Sequence, residues 1–323
     1  MAQYLTRRLI QSVLTLLVIS VILFGLVSSV PGGLMAAYEE NPDFTAEDLA
    51  RLRAKYGLDD PVPVRYLKWL GNLAQGDWGN SFASKQPVLQ EISDRLPNTV
   101  LLMGVMLIVT LLVAIPLGII SALKQYSWVD HTLTTVAFAG NSLPVFWFGL
   151  MLIIIFHVTL KRPDGTPLLP GSGMATLGAP FSLVDRIEHL ILPVAMLALV
   201  SAAGYMRYMR SSMLDVINQD YVRVARAKGL KENMVIYKHA LRNALIPMVT
   251  LIALDIPSLF GGALFTETIF AWPGIGRLYF GAALKADYPM VMAVLVIYSG
   301  LIILSNLLVD VLYTLLDPRI RLS

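Results

Sequence analysis

The sequence predicts an all-α membrane protein with six transmembrane helices. Of its 323 residues, 56% are hydrophobic and only 15% are charged, whereas soluble domains carry about 25% charged residues. Several apolar runs have the length of about 20 residues that a helix needs to cross a bilayer. The chain contains no cysteine, so disulfides and thiolate metal sites are excluded.

Hydropathy gives the positions of the six predicted spans. They cover residues 9–30, 99–123, 136–160, 190–209, 244–267 and 289–313. The first span follows Arg7 and Arg8 and has no small-x-small cleavage site before Pro31, so we interpret it as a retained helix rather than a removed signal peptide. Because the number of spans is even, both termini are predicted on one side.

The distribution of lysine and arginine predicts the orientation. The stretch 207–242 carries eight cations against three anions, whereas residues 31–97 carry seven cations against ten anions. Loops rich in lysine and arginine stay in the cytoplasm. We therefore predict cytoplasmic termini and three regions: a first transmembrane helix (1–30), an extracytoplasmic segment (31–98) and a five-helix core (99–323) with a cytoplasmic loop at 210–243.

The extracytoplasmic segment is predicted to be structured. A capping pattern predicts a helix from Thr45 to Tyr56, and the prolines in 60–63 predict an extended turn. A second helix is expected from Tyr66 to Leu73, followed by a turn at 76–79. This segment is too short for an enzyme domain. Two interpretations stay open: a lid that packs on the outer face, or a contact surface for an external partner.

In two of the predicted spans, polar residues stand beside a helix-breaking proline, and polar groups persist in a bilayer only against protein or along a water-filled path. In the third span these are Asn141 and Ser142, and in the fifth they are Asp255 and Ser258. We interpret all four as candidate translocation-pathway residues. For Asp255 a second interpretation is equally open, namely a carboxylate that is hydrogen-bonded within the helix bundle beside a kink at Pro257.

The motifs of several enzyme classes are missing from the sequence. It has no GxxxxGK[ST] phosphate loop, no HExxH motif and no serine nucleophile elbow. The four histidines are scattered, and we interpret them as packing or surface residues: His131, His157, His189 and His239. We therefore predict a chain without catalytic residues and without a metal or cofactor of its own.

The basic stretch 221–247 is the most informative polar segment. Asp220 is expected to cap a helix that begins at Tyr221, and Gly229 stands where a left-handed C-terminal residue belongs. A second helix, from about Glu232, is expected to continue into the fifth span. Helical spacing assigns the residues of the first helix to two faces. One face holds Tyr221, Val224, Ala225 and Lys228, and another holds Arg223 and Arg226.

This stretch resembles a known motif. YVRVARAKGL and HALRNALIP resemble the coupling loop of ABC importer permeases, the EAA-type loop with its obligatory glycine, in the dipeptide/oligopeptide branch. RRLIQSVLTLLVISVILF, PVLQEISDRLPNT, FGGALFTETIFAWPGIG and ADYPMV also resemble that branch, in the same order. The sequence departs from the general motif where Arg223 and Val224 replace its glutamate and first alanine. The proline that follows the glycine in that motif is also missing.

The resemblance implies a type I ABC importer permease fold and one membrane subunit of an ATP-driven importer for peptides or similar small solutes. Its implied partners are a sister permease subunit, two ATP-binding subunits that hold ATP and Mg, and an extracytoplasmic solute-binding protein. The implied location is the plasma membrane of a prokaryote. By resemblance, the residues that couple to the ATPase are Asp220, Tyr221, Arg223, Ala225, Arg226, Lys228 and Gly229.

Two hypotheses from other classes compete with this one. A proton-coupled secondary transporter would use Asp255 as its proton carrier, and the purified chain alone would then transport solute along a pH gradient. A membrane sensor would bind a ligand with residues 31–97, and it would copurify without an ATPase.

Overall fold

The computed structural model describes residues 2–29, 59–257, 259 and 263–316, together with positions 45, 47, 50, 51, 53 and 54. Within this part of the chain, all the regular elements are helices, apart from two isolated bridges, Asn80 with Pro87 and Lys161 with Pro167. The predicted all-α class is therefore confirmed. The predicted helix from Thr45 to Tyr56 lies largely outside the described residues.

We number the described helices in chain order. They are α1 Ala2–Ser28, α2 Val62–Ala74, α3 Val88–Leu123, α4 Trp128–Ser142, α5 Val145–Ile153, α6 Leu183–Ile217, α7 Asp220–Ala227, α8 Glu232–Met234, α9 Leu241–Asp255, α10 Leu264–Ile269, α11 Ile275–Leu284 and α12 Tyr288–Leu316. Two π-helical segments, Ile154–Thr159 and Val235–Ala240, continue α5 and α8 respectively.

Four of these helices are long and apolar enough to cross a membrane: α1, α3, α6 and α12. They contain the first, second, fourth and sixth predicted spans almost entirely. All four helices are longer than the predicted spans. The difference is largest for α3, which begins at Val88 rather than at 99, and for α6, which covers Leu183–Ile217 rather than 190–209. The described residues thus give four spans, or five with α4 and α5 counted as one bent span. The total of six stays a prediction.

Prolines divide the other two predicted spans. The third does not form one helix, because Leu143 is extended (φ −76°, ψ 133°) before Pro144, and α4 and the α5 segment meet at 96°. Proline disfavours a helical residue before it and has no N–H to donate. In the fifth span, α9 ends at Asp255, two residues before Pro257, instead of continuing to 267. The predicted spans 136–160 and 244–267 are therefore each interrupted near a proline, and neither is one continuous helix.

Proline acts differently at the start of α2. An extended turn was predicted for 60–63, but Pro61 is the N-cap and Pro63 lies in the first turn of the helix. The first turn tolerates proline because its N–H groups have no partner within the helix. The predicted second helix, from Tyr66 to Leu73, is contained in α2. The predicted turn at 76–79 is confirmed, with Gly76 at φ +84° and Gly79 at φ +75°.

The chain divides into two compact units. The first comprises the described residues of 1–97 and 274–323, and the second comprises those of 98–273. In the first unit, the start of α3 packs on α11 and α12 through Val88, Ile92, Ile275 and Met290. In the second unit, the largest apolar cluster joins α3, α6, α7, the segment 235–240 and α9. Several apolar residues of the basic stretch identified in the sequence therefore lie in a packed core.

Candidate functional site

Helix α7 is anchored in the second unit by two residues of one face. Val222 is completely buried and Ala225 is 6% exposed, and their spacing of three residues places them on the same side of the helix. They belong to one apolar cluster with residues of α3, α6, the segment 235–240 and α9. These residues are Ile119, Ala122, Met209, Met213, Val235, Ile236, Ala240 and Ala244.

The other face of α7 is open. Tyr221 is 41% and Val224 is 52% exposed, although both carry large apolar groups. The predicted common face of Tyr221, Val224 and Ala225 is therefore wrong for Ala225. At about 100° per residue, Ala225 lies beside Val222 in the buried stripe, Tyr221 lies at its edge and Val224 points away from it. An exposed apolar surface next to cations is typical of a contact with a partner.

The two ends of α7 lie close to their predicted positions. Gln219, with an extended backbone (φ −74°, ψ 151°), is the N-cap, and Asp220 is the first helical residue, so the predicted cap was off by one. The carboxylate of Asp220 lies 3.6 Å from the Arg223 guanidinium and favours the positive end of the helix dipole. Gly229 has φ +73°, and its N–H donates to the Arg226 carbonyl at 2.9 Å. The left-handed conformation predicted for Gly229 is confirmed.

An ion pair ties α7 to the helix that follows. Arg226 donates to the Glu232 carboxylate from Nη2 at 2.7 Å and from Nε at 3.2 Å. This hydrogen bond lowers the pKa of the Glu232 carboxyl and raises the pKa of Arg226. Both side chains are largely exposed, 40% for Arg226 and 53% for Glu232. Lys228 is an exposed C-cap residue between them.

A continuous helical path leads from α8 into α9. Val235 and Leu241, at the two junctions, keep right-handed helical angles, so α8, the π-helical segment and α9 follow one another without a turn. The second predicted helix, which was expected to continue into the fifth span, is confirmed in this respect. The Ser212 hydroxyl of α6 donates to the Ala244 carbonyl of α9 at 2.7 Å. A displacement of α8 therefore reaches α9 without passing through a loop.

A buried ion pair, which we did not predict, holds the helices that carry α7. Asp130 at the start of α4, with only 4% of its side chain exposed, accepts from Arg210 Nε at 2.8 Å and from Arg210 Nη2 at 2.7 Å. The Ser121 hydroxyl of α3 and the Tyr126 N–H also donate to this carboxylate. The pattern Ser127-x-x-Asp130 resembles a capping box, and it was the available sequence clue.

The predicted translocation-pathway residues that the structure describes lie in two helices, α4 and α9. Asp255 ends α9, and its carboxylate accepts a hydrogen bond from the hydroxyl of Tyr205, a residue of α6 that is 4% exposed. This contact favours the structural interpretation of Asp255. The Ser142 hydroxyl donates to the Phe138 carbonyl of its own helix at 2.8 Å. Asn141 lies in the last turn of α4, and Ser258 lies outside the described residues, so their role stays a prediction.

The segment after α9 is packed tightly against the rest of the second unit. Phe270 and Trp272 are 1% and 0% exposed. The Trp272 indole donates to the Asn98 carbonyl at 2.9 Å, and Asn98 donates to the Pro273 carbonyl at 2.9 Å. Glu267 is completely buried and accepts from the Thr99 hydroxyl at 3.0 Å. These bonds fix the segment to α3 and satisfy its buried polar groups.

Among the residues that the structure describes, no three His, Asp or Glu side chains are grouped as metal ligands. The candidate site around α7 has three structural parts. Its parts are the exposed face of α7, the core beneath it and the helical path into α9.

Comparison with known proteins gives matches along the whole chain. The family model "Binding-protein-dependent transport system inner membrane component" matches residues 114–322, and its N-terminal companion model matches residues 1–103. The oligopeptide transport system permease protein AppB of Bacillus subtilis is 47% identical over 99% of this chain and 100% of its own length. The dipeptide transport system permease protein DppB of Escherichia coli K12 and the di/tripeptide transport system permease protein DppB of Pseudomonas aeruginosa are each 38% identical, over 99% of both chains.

Proposed function

This chain belongs to the family of binding-protein-dependent transport system inner membrane components, and we propose that it forms half of a peptide pathway driven by an ATPase through α7. The family membership confirms the resemblance predicted from the sequence motifs. It also gives the chain a place in the membrane as a transport subunit. Peptide as the solute is proposed because similar proteins of Bacillus and Escherichia are named for oligopeptide and dipeptide transport.

The exposed face of α7 is the observation that supports coupling. Tyr221 and Val224 offer apolar contact area, and Arg223 and Lys228 place cations beside it. Interface cores are rich in aromatic side chains and arginine. We propose that an ATP-binding subunit covers this face. Ala225 then serves as an anchor inside this chain rather than as a contact residue.

The anchoring of α7 explains how movement would pass inward. Val222 and Ala225 fix α7 to the core, and Arg226 with Glu232 fixes it to α8. A displacement of the ATP-binding subunit would move α7 and α8 together and would tilt α9, which ends at Asp255, two residues before Pro257. Packed helices transmit such displacements because their interfaces have discrete arrangements.

The remaining partners follow from the same proposal. A sister permease subunit would complete the pathway, a second ATP-binding subunit would complete the ATPase, and an extracytoplasmic binding protein would deliver the peptide. ATP and Mg would be bound by the ATP-binding subunits, and this chain would carry out no hydrolysis. The location would be the inner membrane of a prokaryote, with several passes through the bilayer.

The test is to replace Val224 by Asp in the complete importer reconstituted in liposomes. Both peptide uptake and peptide-stimulated ATP hydrolysis should fall at least about tenfold, because an unpaired charge buried in an interface costs more than the 1.4 kcal/mol that corresponds to a tenfold change. The matched control is Leu177→Asp, which adds the same charge at a residue that is 99% exposed in the loop before α6. It should leave both rates unchanged.

Wild-type rates in Val224→Asp, with the usual amount of inserted chain, would contradict coupling through α7. Uptake that needs a pH gradient but no ATP, and that is lost in Asp255→Asn, would instead support the proton-coupled hypothesis. Copurification of the chain without any ATP-binding subunit would support the sensor hypothesis.

A further inference from the structure

Helix α2 is attached to α1 by an aromatic cluster, which consists of Phe24, Tyr66 and Trp69. The ring centroid of Phe24 lies 5.6 Å from those of Tyr66 and Trp69, and these two rings are 6.0 Å apart. The Tyr66 hydroxyl is hydrogen-bonded to the Ser20 hydroxyl at 2.9 Å, and Ser20 is 3% exposed. These contacts within the first unit fix the position of α2 along α1.

The attachment point lies within the span and not beyond its end. Helix α1 ends at Ser28, and at 1.5 Å per residue Phe24 lies about 6 Å and Ser20 about 12 Å before that end. The apolar residues around this point are open to the surroundings of α1. Val18, Val21, Ile22 and Leu26 are each between 52% and 63% exposed. Exposed apolar residues, of the kind that contact lipid in a membrane span, therefore surround the contact with α2.

Helix α2 is itself amphipathic and has no buried residue. Its free apolar side carries Leu67, which is 64% exposed, and Val64, which is 40% exposed. Asn72 and Arg65 define the polar side of α2. At 100° per residue, Asn72 lies about 140° around the helix from Leu67. The Arg65 guanidinium lies over the Phe24 ring, 5.9 Å from its centroid.

These observations together indicate that the free apolar side of α2, with Leu67 and Val64, contacts lipid. Helices that lie in the membrane interface bury one apolar face about 5–10 Å into the boundary between headgroups and acyl chains. With the end of α1 taken as the edge of the span, the Phe24 contact places α2 about 6 Å inside that edge. Tyrosine and tryptophan, which form most of the aromatic cluster, are the side chains enriched at that level.

We infer that α2 lies in the membrane interface at the end of α1 away from the N-terminus, with Leu67 and Val64 in lipid and Asn72 facing water. This inference goes beyond the transport function and does not depend on coupling through α7. It assigns part of the segment between the first two spans to the bilayer surface. That segment was predicted to lie outside the membrane as a lid or a partner surface.

The absence of cysteine from the chain makes the test direct. Spin labels are attached to Leu67→Cys and, as the matched control on the same helix, to Asn72→Cys, in the complete importer in liposomes. Collision rates are then measured with oxygen, which concentrates in lipid, and with a water-soluble nickel chelate. The label at 67 should collide more with oxygen, and the label at 72 should collide more with the nickel chelate.

Two results would overturn the inference. One is a label at 67 that meets the nickel chelate as often as the label at 72 does. The other is a label at 67 that becomes shielded from the nickel chelate only when the solute-binding protein is added, because the apolar side would then be a protein contact. Val64→Cys repeats the measurement at a second position of the same side. This experiment measures the depth of the label in the bilayer. Its failure can therefore be distinguished from a failure of the uptake assay that tests the proposed function.

Discussion

Two short surface helices of this chain, α2 and α7, are held in opposite ways. Helix α7 has 8 residues and inserts Val222 and Ala225 into a packed core. Helix α2 has 13 residues, none of them buried, and is held by ring contacts and one hydrogen bond. A helix fixed in a core transmits displacement, because packed interiors deform little. A helix held by edge contacts can follow the bilayer surface without moving the core.

The largest expected difference between the two helices is in the loss of unfolding free energy when an apolar residue of each is replaced by Asp. Val222→Asp should lower the free energy of unfolding of the second unit by several kcal/mol, because an ionised carboxylate would be buried without a partner. Leu67→Asp should change the stability of the purified chain by less than about 1 kcal/mol, because the side chain is 64% exposed and lies outside the protein core. Thermal unfolding of the purified chain measures both. Equal losses would contradict the difference in anchoring.

The buried ion pair between Asp130 of α4 and Arg210 of α6 gives the next largest expected effect. Asp130→Ala leaves Arg210 without its carboxylate, and removal of one partner of a buried pair costs 3–5 kcal/mol. Because Arg210 is 26% exposed, we expect about 3 kcal/mol. The double variant Asp130→Ala with Arg210→Leu should recover part of this loss in the same unfolding experiment. A loss below about 1 kcal/mol in the single variant would be typical of an exposed pair and would contradict this role.

Gly229→Ala tests the end of α7 with a smaller effect. At φ +73° a side chain costs about 1–2 kcal/mol. An added Cβ would meet nothing within 4 Å, so the cost belongs to the backbone alone. Gly104→Ala is the matched control, since a Cβ there also meets nothing within 4 Å and the residue lies inside α3. The control should be neutral or slightly stabilising, and equal destabilisation of both variants would contradict the argument.

The smallest effect is expected at the exposed pair of Arg226 and Glu232. The pKa of Glu232 is lowered by Arg226, so its stabilisation is present at neutral pH and is lost as the pH falls through that lowered pKa. Glu232→Gln should therefore cost less than about 1 kcal/mol at neutral pH and nothing at acid pH. The unfolding temperature measured against pH, at low and high salt, checks this. A difference between wild type and variant that grows on acidification would have the wrong sign.

Local chemistry explains what the sequence could predict. The long apolar runs located α1, α3, α6 and α12, because a bilayer requires about 20 apolar residues. Gly229 allowed the end of α7 to be predicted, because few other residues readily adopt a left-handed backbone. The break at Pro144 follows from the missing N–H of proline. These features depend on a few neighbouring residues, and the sequence displays them directly.

Features that depend on distant residues could not be predicted in the same way. The burial of Trp272 depends on the Asn98 carbonyl, 174 residues away, and Asp130 meets Arg210 from 80 residues away. In α7, small and large apolar residues occur around two turns, so periodicity alone did not separate Ala225 from Tyr221. The side of α7 that is buried is determined by its packing on α3, α6 and α9, where Val222 and Ala225 enter the core.

The central claim, that an ATP-binding subunit covers the exposed face of α7, can be measured by the protection of a single cysteine. Val224→Cys is labelled with a water-soluble maleimide in the membrane subunits alone and again after the ATP-binding subunits are added, with Leu177→Cys as the control. Labelling at 224 should become at least about tenfold slower in the complete complex, because the core of an interface excludes solvent, while labelling at 177 stays unchanged. An unchanged rate at 224 in a complex that hydrolyses ATP would contradict the claim.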